Sequence, residues 1–143
     1  MIPRPKIVPE FYCSDFLRSL HFYTEVLDFA VRFSRPEERF AYLDRHGAEL
    51  MIEQTVELTR TFVAGEIHYP FGRGMHLQIE VEDADALYVR VVATGSPIFL
   101  PIEDRWYRTD VGEEGNRQFI VQDPDGYLLR FWHDLGPRPR AMD

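Results

Sequence analysis

The segment HLQIEVED at residues 76–83 alternates apolar and polar side chains and ends on an acidic residue. Its apolar members stand at every second position, which is typical of a strand with one buried face. Asp83 is a candidate N-cap for a helix, and apolar residues follow at helical spacing until Gly95. The segment therefore predicts a strand that leads directly into a helix.

The same arrangement occurs earlier in the chain, in the segment EFYCSD at residues 10–15. Ser14 and Asp15 are the N-cap candidates there, and the offset from Asp15 to Asp83 is 68 residues. Helical spacing then joins four apolar residues, Phe16, Leu20, Tyr23 and Leu27. A repeated strand–helix unit indicates that the chain consists of two related halves.

The later part of each half matches as well. Strand patterns at residues 40–43 and 49–53 flank a turn at 44–47. In the second half, strand patterns at 118–121 and 127–132 flank a turn at 123–126. Both turns end in glycine, which accepts positive φ at little steric cost. Each half is therefore predicted to be β-α-β-β-β.

The predicted fold class is α+β, with two βαβββ modules that form one domain with a curled mixed sheet around a cleft. We place the single domain at residues 1–143, the first module at about 5–54, and the second at about 75–134. The connecting segment at 55–74 has no clear period. Its aromatic residues are compatible with a lid, and a plain linker fits equally well.

Composition excludes several classes of function. A chain of 143 residues can bury a core without a disulfide or a structural metal. Its net charge of −8 argues against nucleic acid as a partner and is compatible with a cationic small molecule. No apolar run is long enough for a membrane span, and no signal peptide is expected. Because Cys13 is the only cysteine, we expect a reducing, cytoplasmic location.

One face of each predicted strand packs on its helix, and the other carries a mixture of side chains. On the first strand, Ile7, Pro9, Phe11 and Cys13 are predicted to be buried. The residues predicted to face the cleft are Val8, Glu10, Tyr12, Glu49, Met51, Glu53, His76, Gln78, Glu80, Leu128, Arg130 and Trp132. Apolar and aromatic area with a few polar groups is typical of a small-molecule site.

Three segments together resemble the vicinal oxygen chelate superfamily, which contains glyoxalase I, the bleomycin resistance proteins and extradiol dioxygenases. Residues 8–29 resemble its opening, residues 76–83 its fifth strand, and residues 116–131 its closing hairpin. The resemblance covers nearly the whole chain and implies the fold, a homodimer and a ligand cleft. It also implies that Trp106, in the segment 104–108, lies at the cleft rim.

Metal-dependent members of this superfamily hold one divalent ion with side chains of the first, fourth, fifth and eighth strands. Carried over by resemblance, these positions are Val8, Met51, His76 and Arg130. Valine has no donor atom, methionine is a soft donor, and arginine is a permanent cation. Catalytic zinc needs about three protein ligands, so we expect no metal cofactor.

A divalent metal stays open as the alternative. A shift of two residues in register would place Glu49 or Glu53 at the fourth-strand position. With such a metal, or with His76 alone as a general base, the chain would be a lyase, isomerase or dioxygenase. His76 is the only catalytic candidate in that case.

The favoured interpretation is a metal-free protein that binds a small molecule, of the antibiotic-sequestering type that the resemblance implies. Carboxylates on the predicted cleft face favour a cation, and Tyr12, Trp106 and Trp132 offer ring faces to it. Arg130 instead favours a carboxylate ligand. The third alternative is a dimeric interaction module, in which the proline-bearing segment from Met1 to Pro9 resembles one that crosses to a partner subunit.

Overall fold

The computed structural model describes residues 4–55 and 61–140, and it confirms the α+β class with two similar modules. The first module contains β1 (Glu10–Cys13), α1 (Phe16–His21), a π-helical segment (Phe22–Val26), β2 (Ala30–Arg35), a 3₁₀ turn (Pro36–Glu38), β3 (Phe40–Arg45) and β4 (Ala48–Gln54). The second contains β5 (His76–Glu80), α2 (Ala84–Ala93), β6 (Ile98–Arg108), β7 (Glu113–Gln122) and β8 (Leu128–Arg138).

Each module forms its own four-stranded mixed sheet. The strand orders are β1-β4-β3-β2 and β5-β8-β7-β6, so the two sheets have the same topology. In each sheet one parallel pair, β1 with β4 or β5 with β8, stands beside antiparallel strands. The predicted internal repeat is thus confirmed strand by strand, and neither sheet closes on itself.

The chain divides into two compact units. Unit 1 comprises the residues up to Phe71 together with the turn Pro124–Gly126. Unit 2 comprises Gly72–Asp123 and the residues from Tyr127 onward. The described residues of the predicted linker, 61–74, contain no helix or strand, and its residues 56–60 lie outside the described part of the chain.

Both predicted helix caps are present. The Asp15 carboxylate accepts a hydrogen bond from the Arg18 backbone N–H at 3.2 Å, and Asp83 accepts one from Ala86 at 3.0 Å. These bonds satisfy amide groups that the first helical turn leaves without a partner. Ser14, the other cap candidate, instead donates its hydroxyl to the Asp125 carboxylate at 2.5 Å.

The first helix is shorter than its apolar pattern predicts. It ends at His21, and a π-helical segment continues to Val26, where the Leu27 amide donates to the Phe22 carbonyl at 3.1 Å. The wider turn keeps Tyr23 and Leu27 fully buried. α2, the longest helix of the described residues, has 10 residues and is too short to cross a membrane.

The core side of each sheet follows the predicted alternation. Leu50 and Ile52 of β4 are buried, as are Leu129 and Phe131 of β8. The prediction for Ile7 was wrong, since its side chain is 84% exposed. The first strand begins only at Glu10, so no sheet packing reaches Ile7.

The last two strands of the second module are longer than the strand patterns at residues 118–121 and 127–132 predict. β6, β7 and β8 have 10 or 11 residues each, and their far ends form a ladder that carries many charged side chains. The Arg117 guanidinium contacts Asp104 of β6 at 2.7 Å and Asp85 of α2 at 3.1 Å. The register shifts twice along β6, and once along β2 of the first sheet.

Candidate functional site

Cross-strand pairing in unit 1 arranges the predicted site residues in rows on one sheet face. The first row is Tyr12, Glu53, Phe40 and Arg35; the second is Glu10, Met51, Tyr42 and Phe33; the third contains Glu49 and Asp44. Directly paired residues point to the same side of a sheet. We call this surface the acid face, defined by Glu10, Tyr12, Phe33, Phe40, Tyr42, Glu49, Met51 and Glu53.

Glu10, Tyr12 and Glu53 form a cluster on the acid face. Glu53 is only 8% exposed, and Tyr12 is buried beside it. Burial raises the pKa of the Glu53 carboxyl, and the charge of Glu10 and a hydrogen bond with it raise that pKa further. Burial also raises the pKa of the Tyr12 hydroxyl, which accepts a hydrogen bond from the Phe62 amide at 2.8 Å. The cluster therefore contains a buried carboxyl group that carries its charge at a cost.

Glu49 differs from this cluster because it already has cationic partners. Its side chain is 1% exposed, and its Oε1 atom accepts a hydrogen bond from the Arg32 guanidinium. Arg4 approaches the same oxygen at 3.9 Å. The other carboxylate oxygen, Oε2, is buried and has no hydrogen-bond partner among the residues that the structure describes. One half of this buried carboxylate is thus left for a further donor.

Aromatic rings on the acid face already hold cationic groups of the chain itself. The Arg4 guanidinium lies 5.0 Å from the centroid of the Tyr42 ring, and that of Arg35 lies 3.9 Å from Phe40. Phe33 stacks on Tyr42 at 5.0 Å between centroids. The two arginine contacts have the geometry of cation–π interactions. These rings are suited to planar cations.

The sequence did not identify these aromatic residues as part of a site. The run Phe40-Ala41-Tyr42-Leu43 is apolar throughout, and all four residues are buried. Because apolar and polar residues do not alternate in this run, the sequence does not show which side chains lie on which face of the strand. Met51 and Glu53 of β4 were predicted to face the cleft. Their pairing with Tyr42 and Phe40 would have assigned these rings to the same face.

Unit 2 presents the equivalent rows with different chemistry. They are Glu80, Trp132, Gln118 and Glu103; then Gln78, Arg130, Ile120 and Leu100; then His76, Leu128 and Gln122. We call this surface the arginine face, defined by His76, Gln78, Glu80, Leu100, Glu103, Gln118, Ile120, Gln122, Leu128, Arg130 and Trp132. On it the Arg130 guanidinium donates to the Gln78 side-chain oxygen.

A polar network lies at the edge of the arginine face. The Gln118 amide, 3% exposed, donates to the Tyr107 hydroxyl at 2.7 Å and to the Glu103 carboxylate at 3.1 Å. The side-chain carbonyl oxygen of Gln118 is buried and accepts no hydrogen bond from any described residue. Gln118 and Tyr107 were not among the predicted site residues, because a lone glutamine within a strand gives no chemical pattern.

Trp106 does not share a face with Trp132. It pairs with Gly115, and this pair lies three residues along both strands from the pair Glu103–Gln118. Because three is an odd number, Trp106 points to the other side of the sheet. There its ring packs against Gly115, where an added Cβ atom would lie 2.8 Å from the indole. The Arg138 guanidinium covers the ring at 4.0 Å. In unit 2, the structure thus brings Trp132 and Arg130 together and leaves Trp106 apart from them.

The four positions of the superfamily's metal site do not offer a suitable set of donors. Val8 has no donor atom, Met51 is a soft thioether, and Arg130 is bonded to Gln78. In register, Met51 stands opposite Glu10 and Arg130 opposite Gln78, so each strand pair is one row away from the expected one. Among the described residues, no three His, Cys, Asp or Glu side chains converge as metal ligands.

The alternative carboxylates do not complete the set. Glu49 is bound by Arg32, and Glu53 shares its environment with Glu10 and Tyr12. His76 is exposed, and no residue of the described chain fixes its ring by a hydrogen bond. A general base is normally oriented by such a partner.

A separate cavity of about 490 Å³ opens at the end of the first sheet. Its lining contains none of the predicted site residues and consists of Ser14, Asp15, Phe16, Leu17, Pro36, Arg39 and Gln54. The Gln54 side-chain oxygen in it accepts from the Phe16 amide at 2.8 Å, so this group is already engaged in holding α1.

The raised pKa of Glu53 leads to a prediction about stability. Between the ordinary value of 4.5 and the higher folded value, the folded chain binds this proton more tightly than the unfolded chain. The free energy of unfolding should therefore fall as pH rises through that window, and the loss is complete above it. Glu53→Gln removes this loss, so we expect the variant to be more stable than the wild type at pH 7.

Urea unfolding of both proteins from pH 4 to pH 8 measures this effect. Glu37→Gln, at an exposed position of the 3₁₀ turn, is the control. Glu10, Arg35 and Glu38 also influence Glu53, so the difference between wild type and variant is the relevant quantity. Parallel stability curves for wild type and Glu53→Gln would contradict the prediction.

The fold and these two faces define a protein with paired βαβββ modules, and sequence comparison identifies its family. Residues 8–131 match the Glyoxalase/Bleomycin resistance protein/Dioxygenase superfamily. The chain belongs to this superfamily. No curated protein matches the chain.

Several solved structures are similar to this chain. A superfamily member from Vibrio splendidus 12B01 is 38% identical over 90% of this chain and 97% of that chain, with a TM-score of 0.41. TioX from Micromonospora sp. ML1 is 25% identical over 92% and 100%, with a TM-score of 0.71. Lactoylglutathione lyase from Agrobacterium tumefaciens shares the fold, at 16% identity over 92% and 96% and a TM-score of 0.60.

Proposed function

We propose that this chain binds a small cationic organic molecule on the acid face of unit 1, without a metal ion and without catalysis. The observation that supports this most directly is the buried Glu53 carboxyl. It lies beside a second acid, Glu10, and no cationic side chain of the described residues pairs with it. A bound cation would supply the missing charge.

The contrast with the other carboxylates supports the same proposal. Glu49 is paired with Arg32, and Glu38 is paired with Arg35 at 2.5 Å. The arginine nearest in the row of Glu53 is therefore engaged elsewhere. A buried acid without a cationic partner is a common feature of binding sites, where stability is lost for the sake of affinity.

The rings of the acid face favour a ligand with a planar or delocalised cation. Tyr12 pairs directly with Glu53, and Phe40 pairs with it from the other side. Arg35 and Arg4 already stack on Phe40 and Tyr42, so the same rings accept guanidinium groups. Cation–π contacts contribute about 0.5–2 kcal/mol each when water is excluded.

Absence of a metal is part of the proposal. It is supported by the donor chemistry of Val8, Met51, His76 and Arg130, which supplies one imidazole where about three ligands are needed. A homodimer is also part of the proposal, as the superfamily resemblance implies. The exposed Ile7, in the segment before β1, is a candidate contact with a partner subunit.

Calorimetric titration with metal-free bleomycin, a cationic member of the proposed ligand class, is the direct test. We expect saturable heat at tens of micromolar ligand. Glu53→Gln should weaken binding about tenfold or more, since a hydrogen-bonded charge partner contributes about 1.5–3 kcal/mol. The exposed Glu37→Gln serves as the matched control, because it removes the same charge outside the acid face.

Two outcomes would sink the proposal. Heat that is absent in the wild type, or unchanged in Glu53→Gln, would show that the acid face does not bind such a cation. Metal analysis of the purified protein tests the metal-free part: a stoichiometric Ni, Zn, Mn or Fe ion would favour the enzyme alternative.

A further inference from the structure

The arginine face of unit 2 carries a cation, Arg130, that forms no ion pair with any residue that the structure describes. Five arginines of the described residues contact carboxylates within ion-pair distance: Arg4, Arg32, Arg35, Arg117 and Arg138. Arg130 is half-buried, and no carboxylate within the described ranges 4–55 and 61–140 makes such a contact with it. A partly buried guanidinium without a counter-charge is costly.

The bonding of Arg130 leaves most of its donors unused. One terminal nitrogen donates to Gln78. The Nε atom is buried and finds no acceptor in the part of the chain that the structure describes. No other acceptor is recorded for this side chain among the described residues. A guanidinium has five N–H donors in a planar fork, so capacity for a bidentate partner remains.

Three of the residues around Arg130 on this face are apolar, while Gln78 beside it is polar. Ile120 stands directly across on β7, and Leu128 and Trp132 lie two positions before and after it on β8. All three are half-buried. Inorganic phosphate has no apolar part to place there, whereas an organic acid buries its carbon skeleton against such side chains.

We infer that Arg130 is the anchor of a binding site for a small organic carboxylate with an apolar or aromatic body. The carboxylate accepts two hydrogen bonds from the guanidinium fork, Gln78 holds that fork in place, and Ile120, Leu128 and Trp132 contact the body of the ligand. The position is one where metal-dependent relatives are expected to place a metal ligand. In this protein the Arg130 guanidinium, rather than a metal ion, would bind the carboxylate of the ligand.

This inference does not rest on the proposed function. The acid face and the arginine face share no residue, and the two ligands have opposite charge. Bleomycin binding that is lost in Glu53→Gln tests only the first, and carboxylate binding that is lost in an Arg130 variant tests only the second.

The experiment is an NMR titration of ¹⁵N-labelled protein with sodium phenylacetate. We expect a saturable shift of the Arg130 side-chain Nε–H signal and of the Gln78 backbone amide. Arg130→Gln should weaken phenylacetate binding about ten- to hundredfold, as expected for the loss of charge-assisted hydrogen bonds. Arg108→Gln, which removes an exposed arginine of β6, should leave the affinity unchanged.

A second variant of Arg130 and two control ligands complete the experiment. Arg130→Lys retains the charge and loses the planar fork, so it should also weaken binding. If Arg130→Gln does not fold, the lysine variant and the wild-type Nε–H signal decide. The inference is overturned if phenylacetate does not saturate, if either Arg130 variant binds it as tightly as the wild type, or if neutral benzyl alcohol binds equally well. Binding of inorganic phosphate without phenylacetate would overturn the assignment to organic carboxylates.

Discussion

Replacement of Phe131 by alanine is expected to lower the free energy of unfolding by about 3–5 kcal/mol. Its side chain is 0% exposed, and its ring stacks on Phe119 with 5.6 Å between centroids. Phe131 lies on β8, between β5 and β7, so the cavity opens at the centre of the second sheet. Strands on both sides would lose contacts that water cannot replace.

Urea unfolding at constant pH measures this loss. Phe99→Ala is the matched control, because the same side chain is 59% exposed on β6. We expect that variant to lie within about 0.5 kcal/mol of the wild type. A loss below about 1 kcal/mol for Phe131→Ala would show that the ring does not pack as the structure describes.

The second large effect is expected for Asp125→Ala, at about 3 kcal/mol. Asp125 is buried, and its carboxylate accepts from the Ser14 amide at 3.0 Å and from the Ser14 hydroxyl at 2.5 Å. Charge-assisted hydrogen bonds contribute about 1.5–3 kcal/mol each and are not additive. The alanine variant removes both acceptors at the start of α1.

The backbone at Asp125, in the turn at residues 123–126, is held by a hydrogen bond that does not involve the carboxylate. The alanine variant therefore tests the side chain alone. The Phe71 amide donates to the Asp125 carbonyl at 2.7 Å, independent of the carboxylate. Asp125→Asn keeps one acceptor oxygen and should lose less than Asp125→Ala. The exposed Asp110→Ala is the control for a change in net charge. Equal stabilities of Asp125→Ala and Asp110→Ala would rule out the proposed role.

Much of this fold could be predicted from the sequence because its local signals agree with its packing. Asp15 and Asp83 both cap helices, and the alternation in β4 and β8 places Leu50 and Phe131 in the core. Both signals depend on neighbouring residues only. The repeat then extended them to the whole chain, since what holds in one module holds in the other.

The features that could not be predicted depend on contacts between distant segments. No local pattern shows that Ser14 would bind Asp125 and leave the cap to Asp15. The far ends of β6 and β7 are held by pairs such as Arg117 with Asp104 rather than by a hydrophobic face. Charged ladders of this kind carry no apolar alternation, so their length stays hidden in the sequence.

The candidate site was predicted in part. Parity placed Glu49, Met51 and Glu53 on one face, and the register confirms that they share it. It could not show that Glu49 is already paired with Arg32, while Glu53 forms no ion pair with any described residue. A charged residue can bind a ligand only if other groups of the folded chain do not already neutralise it, and a local sequence pattern does not show this.

The register shifts of β2 and β6 have a consequence for association. Both are outer strands of their sheets, and an outer strand offers unpaired backbone groups to any other chain. The irregular spacing, together with Pro101 in β6, which has no N–H to donate, interrupts that row of groups. The same position on both sheets is thus protected against edge-to-edge recruitment into fibrous aggregates.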